Sequence, residues 1–273
     1  MRALMRIAVV GASGRMGRAV VRLACAEGVP IACAIGTMEV GRDAGELAGL
    51  GPIGVCVVDG FAALERADAD VVIDFSVPAA TRALAPIAAE AGTAIVSGTT
   101  GLDPDARSAL DRAAQTVPVL WEPNMSLGVH VLSRLAADAV AALSDWDVEI
   151  VETHHRAKVD APSGTALRLA ERLLETRAGV ATRLVHGRHG QVGARDREEI
   201  GVHALRGGDV IGDHVVHLMG GGERLELTHR ATSRDVFAHG ALRAARWLAG
   251  RNRGRYSLRD VLTVGPARSE SQP

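Results

Sequence analysis

The chain has 273 residues, with 31 basic against 32 acidic side chains and a formal net charge of −1. This balance argues against a bulk electrostatic grip on nucleic acid or on an anionic membrane, so we expect neither as a partner. Hydrophobic residues make up 47% of the chain and charged residues 23%, which is typical of a globular protein and excludes a disordered one.

Up to Trp121 the chain alternates between short apolar runs and alanine-rich stretches with helical spacing. The apolar runs predict strands at Arg6–Val10, Ile31–Ile35, Val55–Val58, Val71–Phe75, Ala94–Ser97 and Val117–Trp121, and the stretches predict helices at Arg15–Glu27, Pro78–Ala91 and Pro104–Gln115. Strands that are apolar throughout are buried on both faces, so the alternation predicts βαβ units of a parallel sheet with helices on both sides. The glycine-rich interval between Ile35 and Val55 predicts a loop with one helical turn.

The pattern changes after Asn124. Here the sequence predicts helices at about Ser126–Leu143 and Ser163–Arg177, strands near Asp147–Thr153, Ile200–Leu205, Val210–Leu218 and Arg224–Thr228, and a long loop at 179–199. Consecutive strands joined by short glycine turns predict an antiparallel or mixed sheet, and hence a second domain of α+β type. A last helix at about Arg234–Gly250 and the segment Tyr256–Val264 are expected to return to the first domain.

The predicted fold class is therefore α/β, with two domains. A Rossmann-like, doubly wound parallel sheet is expected for residues 1–126, completed by residues 236–273. A smaller α+β domain is expected for residues 127–235. No stretch of the sequence approaches the roughly 20 consecutive apolar residues of a membrane span.

A glycine-rich loop follows the first predicted strand directly. It runs Gly11, Ala12, Ser13, Gly14, Arg15, Met16 and Gly17, which is a GxxGxxG pattern. Glycine permits a tight turn and a close approach to pyrophosphate, while the start of a helix offers unpaired N–H groups and the positive end of its dipole. At the first strand–helix junction of a βαβ array, this loop predicts dinucleotide binding.

The end of the second predicted strand lacks the residue that usually selects the nucleotide. An acidic residue about 20 positions after the glycine loop commonly binds the adenosine ribose hydroxyls. Gly36 and Thr37 occupy that place, with Glu39 and Arg42 nearby. NADH and NADPH therefore both remain open as the cofactor.

The segment Glu149–Ala166, EIVETHHRAKVDAPSGTA, concentrates groups suited to proton transfer and anion binding. His154 and His155 are adjacent, and Lys158 is the one lysine of the chain. A lysine ammonium can give up a proton, whereas a guanidinium stays charged. Ser163 is a good helix N-cap, so the N–H groups that follow it can receive a carboxylate. No third ligand accompanies the histidine pair at regular spacing, so we expect no metal site.

The same segment resembles the signature of the 4-hydroxy-tetrahydrodipicolinate reductase (dihydrodipicolinate reductase) family, which acts in lysine biosynthesis through diaminopimelate. Other stretches are similar to the family in the same order along the chain, namely GASGRMGRAV, DAGELAG (43–49), VVIDFSVP (71–78), GTTG (98–101), PNMSLGV (123–129), ERLELTHRATSR (223–234) and FAHGALRAARWL (237–248). The resemblance covers essentially the whole chain, and the segment with the two histidines is its most specific part.

The resemblance implies roles for particular residues. It implies that NADH or NADPH binds to Gly11, Ala12, Ser13, Gly14, Arg15, Met16, Gly98, Thr99, Thr100, Glu122, Pro123, Asn124 and Met125. It implies that His155, Gly164 and Thr165 bind carboxylate groups of a cyclic dicarboxylate substrate, while His154 and Lys158 carry the proton transfer. It further implies a homotetramer in which the second-domain sheets pair.

Two alternatives remain for the sequence alone. The glycine loop would serve another two-domain NAD(P)-dependent dehydrogenase of a small amino or sugar acid equally well, although such an enzyme is not expected to carry the 149–165 segment. A nucleotide-sensing regulator on the same fold is the other alternative, but it would not need both proton donors. The three cysteines lack the CxxC spacing of a zinc or disulfide framework, so we expect a cytoplasmic protein.

Overall fold

The computed structural model describes residues 4–177 and 183–263. The strands are β1 Ile7–Val10, β2 Ile31–Ile35, β3 Val57–Val58, β4 Val71–Asp74, β5 Ala94–Ser97, β6 Pro118–Trp121, β7 Asp147–His154, β8 Arg183–Val185, β9 Glu199–Arg206, β10 Gly212–Met219, β11 Arg224–Ala231 and β12 Gly254–Tyr256. The helices are α1 Arg15–Ala26, α2 Ala44–Leu47, α3 Pro78–Glu90, α4 Pro104–Ala113, α5 Leu127–Ala142, α6 Gly164–Thr176, α7 Asp235–Leu248 and α8 Leu258–Thr263, with a 3₁₀ helix at Phe61–Arg66.

The chain divides into two compact units, with boundaries between Leu127 and Gly128 and between Arg234 and Asp235. The first unit contains a seven-stranded sheet in the order β12-β6-β5-β4-β1-β2-β3, in which every neighbouring pair is parallel. The short strand β12 extends this sheet beyond β6, so the end of the described chain belongs to the first unit. Val264, the last residue of the predicted returning segment, lies outside the described residues.

Both faces of the parallel sheet are covered, because successive side chains of a strand point to opposite faces. Ile7 and Val9 of β1 pack in a core with residues of α1 and α7, whereas Ala8 and Val10 pack in a second core with residues of α3 and α4. The first unit is therefore the doubly wound, Rossmann-like sheet that the apolar strands predict, and its carboxyl edge gathers the loops that follow β1, β4 and β5.

The second unit contains a five-stranded mixed sheet in the order β11-β10-β7-β9-β8. The central strand β7 is antiparallel to β10 and parallel to β9, while β8 is parallel to β9. One face of the sheet packs against α5 and α6 through buried aliphatic side chains, among them Ile150, Leu173 and Val216. The other face carries Glu149, Val151 and their neighbours across the strands.

The prediction of an unbroken loop at 179–199 is wrong at two places. Strand β8 lies within this range, and β9 already begins at Glu199. The three residues of β8 have no periodicity to mark them, and their pairing with β9 comes from tertiary contact. Residues 178–182 lie outside the described part. The 3₁₀ helix at Phe61–Arg66 was also not predicted. Among the described residues, no helix combines the length and the apolar composition needed to span a membrane.

Candidate active site

The glycine loop after β1 forms a tight cradle at the start of α1. Gly11 has φ of +77°, and a Cβ added at Gly17 would lie 2.1 Å from the carbonyl oxygen of Gly11. The backbone N–H groups of Gly11 and Ala12 both donate to the carbonyl of Ile35 in β2, which fixes the loop to the sheet. Only glycine therefore fits at Gly11 and Gly17, which is the arrangement that lets a pyrophosphate approach the backbone.

The start of α1 is suited to an anion. Its N-cap is Gly14, which provides no side-chain hydrogen bond to the helix, and the first turn contains no acidic residue. The first N–H groups of a helix without a side-chain cap, together with the positive end of the dipole, attract phosphate. The residues present here thus fit the phosphates of a dinucleotide, which the loop from Gly11 to Met16 would hold.

The loop after β5 contains the predicted residues Gly98, Thr99 and Thr100. Thr99 is buried, and its hydroxyl donates to the carboxylate of Asp74 over 3.0 Å. Its carbonyl accepts from the indole Nε1 of Trp121 over 2.9 Å. Thr99 therefore contributes its backbone and its position to this edge rather than a side chain directed to solvent, whereas Thr100 is exposed.

The loop after β6 contains the predicted residues Glu122, Pro123, Asn124 and Met125. The backbone N–H of Glu122 donates to the carbonyl of Ser97, which joins this loop to the end of β5. Glu122 and Pro123 are half-buried, while Asn124 and Met125 are buried. The predicted cofactor residues of the first unit thus come from three loops at the carboxyl edge of one parallel sheet, which is where open α/β sheets bind ligands.

A side chain at position 36, at the end of β2, would require its neighbours to move by a few tenths of an ångström. A Cβ added at Gly36 would lie 3.0 Å from Oγ of Ser13 and 3.3 Å from a methyl group of Val57. Glu39 lies nearby and accepts from Arg42 over 2.9 Å, with a guanidinium nitrogen of Arg18 at 4.0 Å. This corner of the first unit therefore carries two arginines and one carboxylate.

In the second unit, His154 is the last residue of β7 and is buried. Its Nδ1 lies 2.5 Å from Oε2 of Glu152, a fully buried carboxylate. Burial raises the pKa of Glu152, but hydrogen bonds from Arg206 and His154 outweigh this and lower the pKa overall. Glu152 is therefore ionised and can only accept, so Nδ1 of His154 donates the bond and Nε2 remains for exchange of a proton.

Glu152 also accepts hydrogen bonds from two further segments, the end of β9 and the start of α6. Arg206 at the end of β9 donates to both of its oxygens over 2.9 and 2.8 Å. The backbone N–H of Ser163 donates to Oε1 over 2.9 Å. Arg206 additionally donates to the carbonyl of Asp160 over 2.7 Å. One carboxylate thus fixes the imidazole, the loop that carries Lys158 and the start of α6 relative to one another.

Lys158 lies in that loop with one fifth of its side chain exposed. Its ammonium donates to Oδ1 of Asp160 over 2.7 Å, and this hydrogen bond lowers the pKa of Asp160. His155 is half-buried, and Arg234 donates to its Nε2 over 3.3 Å. The two adjacent histidines therefore have different surroundings, the first a buried carboxylate and the second an arginine.

The start of α6 matches the prediction from Ser163. Ser163 is the N-cap, and its hydroxyl accepts from the backbone N–H of Ala166. Gly164 is exposed with open space around its α-carbon, and Thr165 is half-buried. The first turn contains no acidic residue. This helix start can therefore accept an anion.

A second buried imidazole, that of His214, lies beside the same group. Its ring centre is 5.4 Å from that of His154, and its Nε2 lies 3.5 Å from Oγ of Ser163. Burial lowers the pKa of His214 to about 4, with a smaller contribution from His154. His214 is therefore neutral at neutral pH and adds no positive charge next to His154.

Two family models together match almost the whole chain. The model described as dihydrodipicolinate reductase, N-terminus, matches residues 5–125, and the model described as dihydrodipicolinate reductase, C-terminus, matches residues 128–262. The chain belongs to the dihydrodipicolinate reductase family. The family assignment predicted from the 149–166 segment is thus confirmed.

Relatives in this family span nearly the same length. The 4-hydroxy-tetrahydrodipicolinate reductase of Myxococcus xanthus is 50% identical over 265 residues, covering 95% of this chain and 98% of the relative. That of Alkalilimnicola ehrlichii is 49% identical, covering 94% and 98%. A solved structure of dipicolinate-bound dihydrodipicolinate reductase from Paenisporosarcina sp. TG-14 has a TM-score of 0.76 at 23% identity, covering 93% of this chain and 97% of that one, and shows the same fold.

Two residues of this dihydrodipicolinate reductase family member went unpredicted as parts of the site, Glu152 and Asp74. Asp74 is the one acidic residue of an otherwise apolar strand, and Glu152 is a buried acidic residue near the end of β7; these positions are the local signals that could have marked them. Their partners, such as Arg206 and Thr99, are far away in sequence, so the interactions themselves were not visible. Among the described residues, no group of three or more potential ligands could bind a metal ion.

Proposed function

We propose that this chain catalyses the NAD(P)H-dependent reduction of 4-hydroxy-tetrahydrodipicolinate to tetrahydrodipicolinate, with loss of water, in lysine biosynthesis. The observation that carries the proposal is the group formed by His154, Lys158 and the start of α6 around the buried carboxylate of Glu152. It combines two proton-transfer groups with an anion-binding helix start within one unit. The two relatives named above bear the name of this activity and are about half identical to this chain over nearly its full length.

The second unit binds and protonates the substrate in this proposal. The backbone N–H groups of Gly164 and Thr165, the hydroxyl of Thr165 and the ring of His155 bind the carboxylates, because the N–H groups of a helix start and an imidazole N–H can donate to carboxylate oxygens. His154 and Lys158 move the protons needed for loss of the hydroxyl group as water and for protonation of the reduced ring. Glu152 positions His154 with Nε2 as the exchanging nitrogen.

The first unit binds the cofactor in this proposal. The nicotinamide cofactor supplies the hydride when bound, and the family is one of pyridine-nucleotide-dependent reductases. Residues 11–16 bind the pyrophosphate, and the loops at 98–100 and 122–125 bind the nicotinamide end. Cofactor selectivity follows from the end of β2, where Arg18 and Arg42 share the single carboxylate of Glu39. We propose that both NADH and NADPH are used, since neither a ribose-binding acid at position 36 nor an arginine without an acidic partner is present there.

The assembly and the location are also proposals. We propose a homotetramer that pairs the second-unit sheets, supported by the outer face of that sheet, where Val151 and Val215 are half-buried and Leu205 is 54% exposed. A cytoplasmic location is supported by the dependence on NAD(P)H. Sedimentation or light scattering of the wild type and of Leu205→Glu tests the assembly: a tetramer that the substitution dissociates supports it, and a wild-type monomer contradicts it.

The reaction itself is tested by steady-state kinetics on enzymatically generated substrate, with NADH and NADPH in parallel. We expect turnover with both cofactors, and kcat/KM values that differ by less than about 100-fold, a span equivalent to roughly 2.7 kcal/mol. If neither NADH nor NADPH supports turnover, the proposed reaction is contradicted. Turnover with one cofactor alone leaves the reaction in place and contradicts the dual specificity. A panel of amino acids and sugar acids serves as the negative control.

A further inference from the structure

Asp74, the last residue of β4, is a fully buried carboxylate that the proposed chemistry does not use. Its Oδ1 accepts from the backbone N–H and the hydroxyl of Ser76 over 3.0 and 2.5 Å. Its Oδ2 accepts from three hydroxyl groups over 2.6 to 3.0 Å, those of Thr81, Ser97 and Thr99. Burying a carboxylate is costly unless it is hydrogen-bonded, and here five donors from four residues compensate it without any cationic partner in the set.

These donors come from separate segments of the carboxyl edge. Ser76 belongs to the loop after β4, Ser97 and Thr99 to the end of β5 and the loop that follows it, and Thr81 to α3. The backbone N–H of Ser76 also lies 3.3 Å from the hydroxyl of Thr99. The carboxylate therefore joins the loops after two neighbouring parallel strands, and the second of these loops carries Gly98, Thr99 and Thr100.

Phe75, next to Asp74, extends the connection to the phosphate cradle. A Cβ added at Gly98 would lie 2.2 Å from a ring carbon of Phe75, and one added at Gly11 would lie 2.6 Å from its carbonyl oxygen. The two glycines thus pack directly against the residue that Asp74 and Ser76 flank. A change in the loop after β4 would consequently move the Gly98–Thr100 loop relative to the glycine cradle.

Stability of the fold alone does not require a charged side chain at position 74. Replacing buried ionic groups with well-packed apolar ones is often neutral or stabilising, whereas a fully satisfied polar network defines one geometry. A network of hydroxyls around one carboxylate specifies the direction of every donor. Of the two loops that it joins, the one after β5 carries Gly98, Thr99 and Thr100, which are expected to approach the reactive end of a dinucleotide.

We propose that Asp74 is a positioning residue for the nicotinamide end of the cofactor. It sets the Gly98–Thr100 loop at the distance from the glycine cradle that the dinucleotide requires, and it does so through Thr99 and Ser97 without touching the cofactor. The inference rests on the proposed function, since it presupposes that this edge binds NAD(P)H. It goes beyond that function because it assigns the positioning of the nicotinamide half of the cofactor to one buried side chain.

The test compares a ligand that has the nicotinamide with one that lacks it. Isothermal titration measures Kd for NADPH, NADH and ADP-ribose on the wild type and on Asp74→Asn. The amide offers one oxygen acceptor in place of two and places an NH₂ group among hydroxyl donors. We expect Kd for the dinucleotides to rise at least about tenfold while Kd for ADP-ribose stays within about threefold, because about 1.4 kcal/mol corresponds to tenfold.

Thr81→Val is the matched control. It removes a buried hydroxyl from the same carboxylate oxygen, but one that belongs to α3 rather than to the loops, so all three Kd values should stay near those of the wild type. Thr99→Val removes the loop's own hydroxyl and should reproduce the selective loss. If Asp74→Asn does not fold, Thr99→Val against Thr81→Val decides the question.

The outcomes separate the two proposals. Equal weakening of dinucleotide and ADP-ribose binding, or no weakening of either, overturns the positioning role of Asp74. If the folded wild type binds neither the dinucleotides nor ADP-ribose, the proposed function is overturned instead. A selective loss in both Asp74→Asn and Thr99→Val, with Thr81→Val unaffected, is the result that we expect.

Discussion

Two fully buried carboxylates, Asp74 in the first unit and Glu152 in the second, lie near the carboxyl ends of strands β4 and β7. Each accepts hydrogen bonds from several segments and so fixes loops that the proposed function places at a binding site. Their partners differ in kind. Asp74 is surrounded by hydroxyl groups and one N–H, whereas Glu152 accepts from a guanidinium, an imidazole and a backbone N–H.

The difference corresponds to the two tasks proposed for the units. Hydroxyl donors fix the geometry of a loop without adding charge. This suits loops that only bind and orient a cofactor, because the cofactor itself supplies the hydride. An imidazole bonded to a carboxylate acquires a defined tautomer, which suits a group that exchanges protons. The comparison predicts that changes around Glu152 alter turnover, while changes around Asp74 alter cofactor binding.

The largest expected effect is that of Lys158→Ala. Loss of the one amine in the substrate segment should lower kcat by about 10² to 10⁴, the usual contribution of general acid–base catalysis. Kd for NADPH should stay within about threefold, because the lysine lies in the unit that serves the substrate. Stopped-flow and titration measure the two quantities separately. Near-normal kcat would remove Lys158 from the proton transfer.

Glu152→Gln should have the next largest effect. The substitution removes the negative charge that orients His154 and leaves Arg206 without its ionic partner. We expect kcat to fall roughly 10- to 100-fold, part of the acid–base contribution, and the free energy of unfolding to fall by about 3 kcal/mol. Pre-steady-state kinetics and chemical denaturation measure the two effects.

Glu149→Gln is the matched control for that substitution. Glu149 also lies on β7 and is 8% exposed, and it accepts from Arg188, Arg195 and His203 on the opposite face. Burial raises its pKa, but these partners lower the pKa to about 2 overall. Its loss should cost similar stability, and kcat at the same oligomeric state should remain that of the wild type. A similar fall of kcat in both variants would show that stability, not the tautomer, limits turnover.

Thr165→Val tests the carboxylate-binding helix start. A hydrogen bond to a charged group contributes about 1.5–3 kcal/mol, so KM for the substrate should rise roughly 10- to 100-fold. KM for the cofactor should change much less, because Thr165 belongs to the second unit. The two constants come from one set of initial-rate measurements at varied substrate and cofactor concentrations. Unchanged substrate KM would exclude Thr165 from carboxylate binding.

The last expected effect concerns stability rather than activity, and it is a pH dependence that comes from His214. In the unfolded chain its imidazole takes up a proton near pH 6.5, whereas in the folded protein burial lowers the pKa to about 4. The unfolded state therefore binds more protons between these values, and the free energy of unfolding decreases as the pH falls through this window. The contribution is on the order of 3 kcal/mol.

Denaturation at a series of pH values checks this expectation on the wild type and on His214→Gln. The substituted protein should lose less stability between pH 6.5 and about 4 than the wild type does. The buried carboxylates with lowered pKa values contribute in a lower range, since their stabilisation is lost only as the pH falls below the value of an ordinary glutamate. Identical pH profiles for the two proteins would show that the pKa of His214 is the same in the folded and unfolded states.

Local sequence signals explain how much of this could be predicted. The parallel sheet could be predicted from the apolar strands, the start of α6 from Ser163, and the cradle from the glycine loop. Each of these features depends on residues that are close together in the sequence. Glu152 with Arg206, and Asp74 with Thr99, were not predicted as pairs because 54 and 25 residues separate them. Strand β8 was missed for the same reason, since only its pairing with β9 distinguishes it from a loop.

The most direct test of the division between the two carboxylates is a crossed binding measurement. NADPH and dipicolinate, a stable cyclic dicarboxylate, are each titrated into the wild type, Asp74→Asn and Glu152→Gln, alone and with the other ligand at saturation. The account predicts that Asp74→Asn weakens NADPH binding at least about tenfold and dipicolinate binding less than about threefold. Glu152→Gln should show the reverse pattern, because Glu152 also holds the start of α6 through the backbone N–H of Ser163. Equal weakening of both ligands in each variant would contradict it.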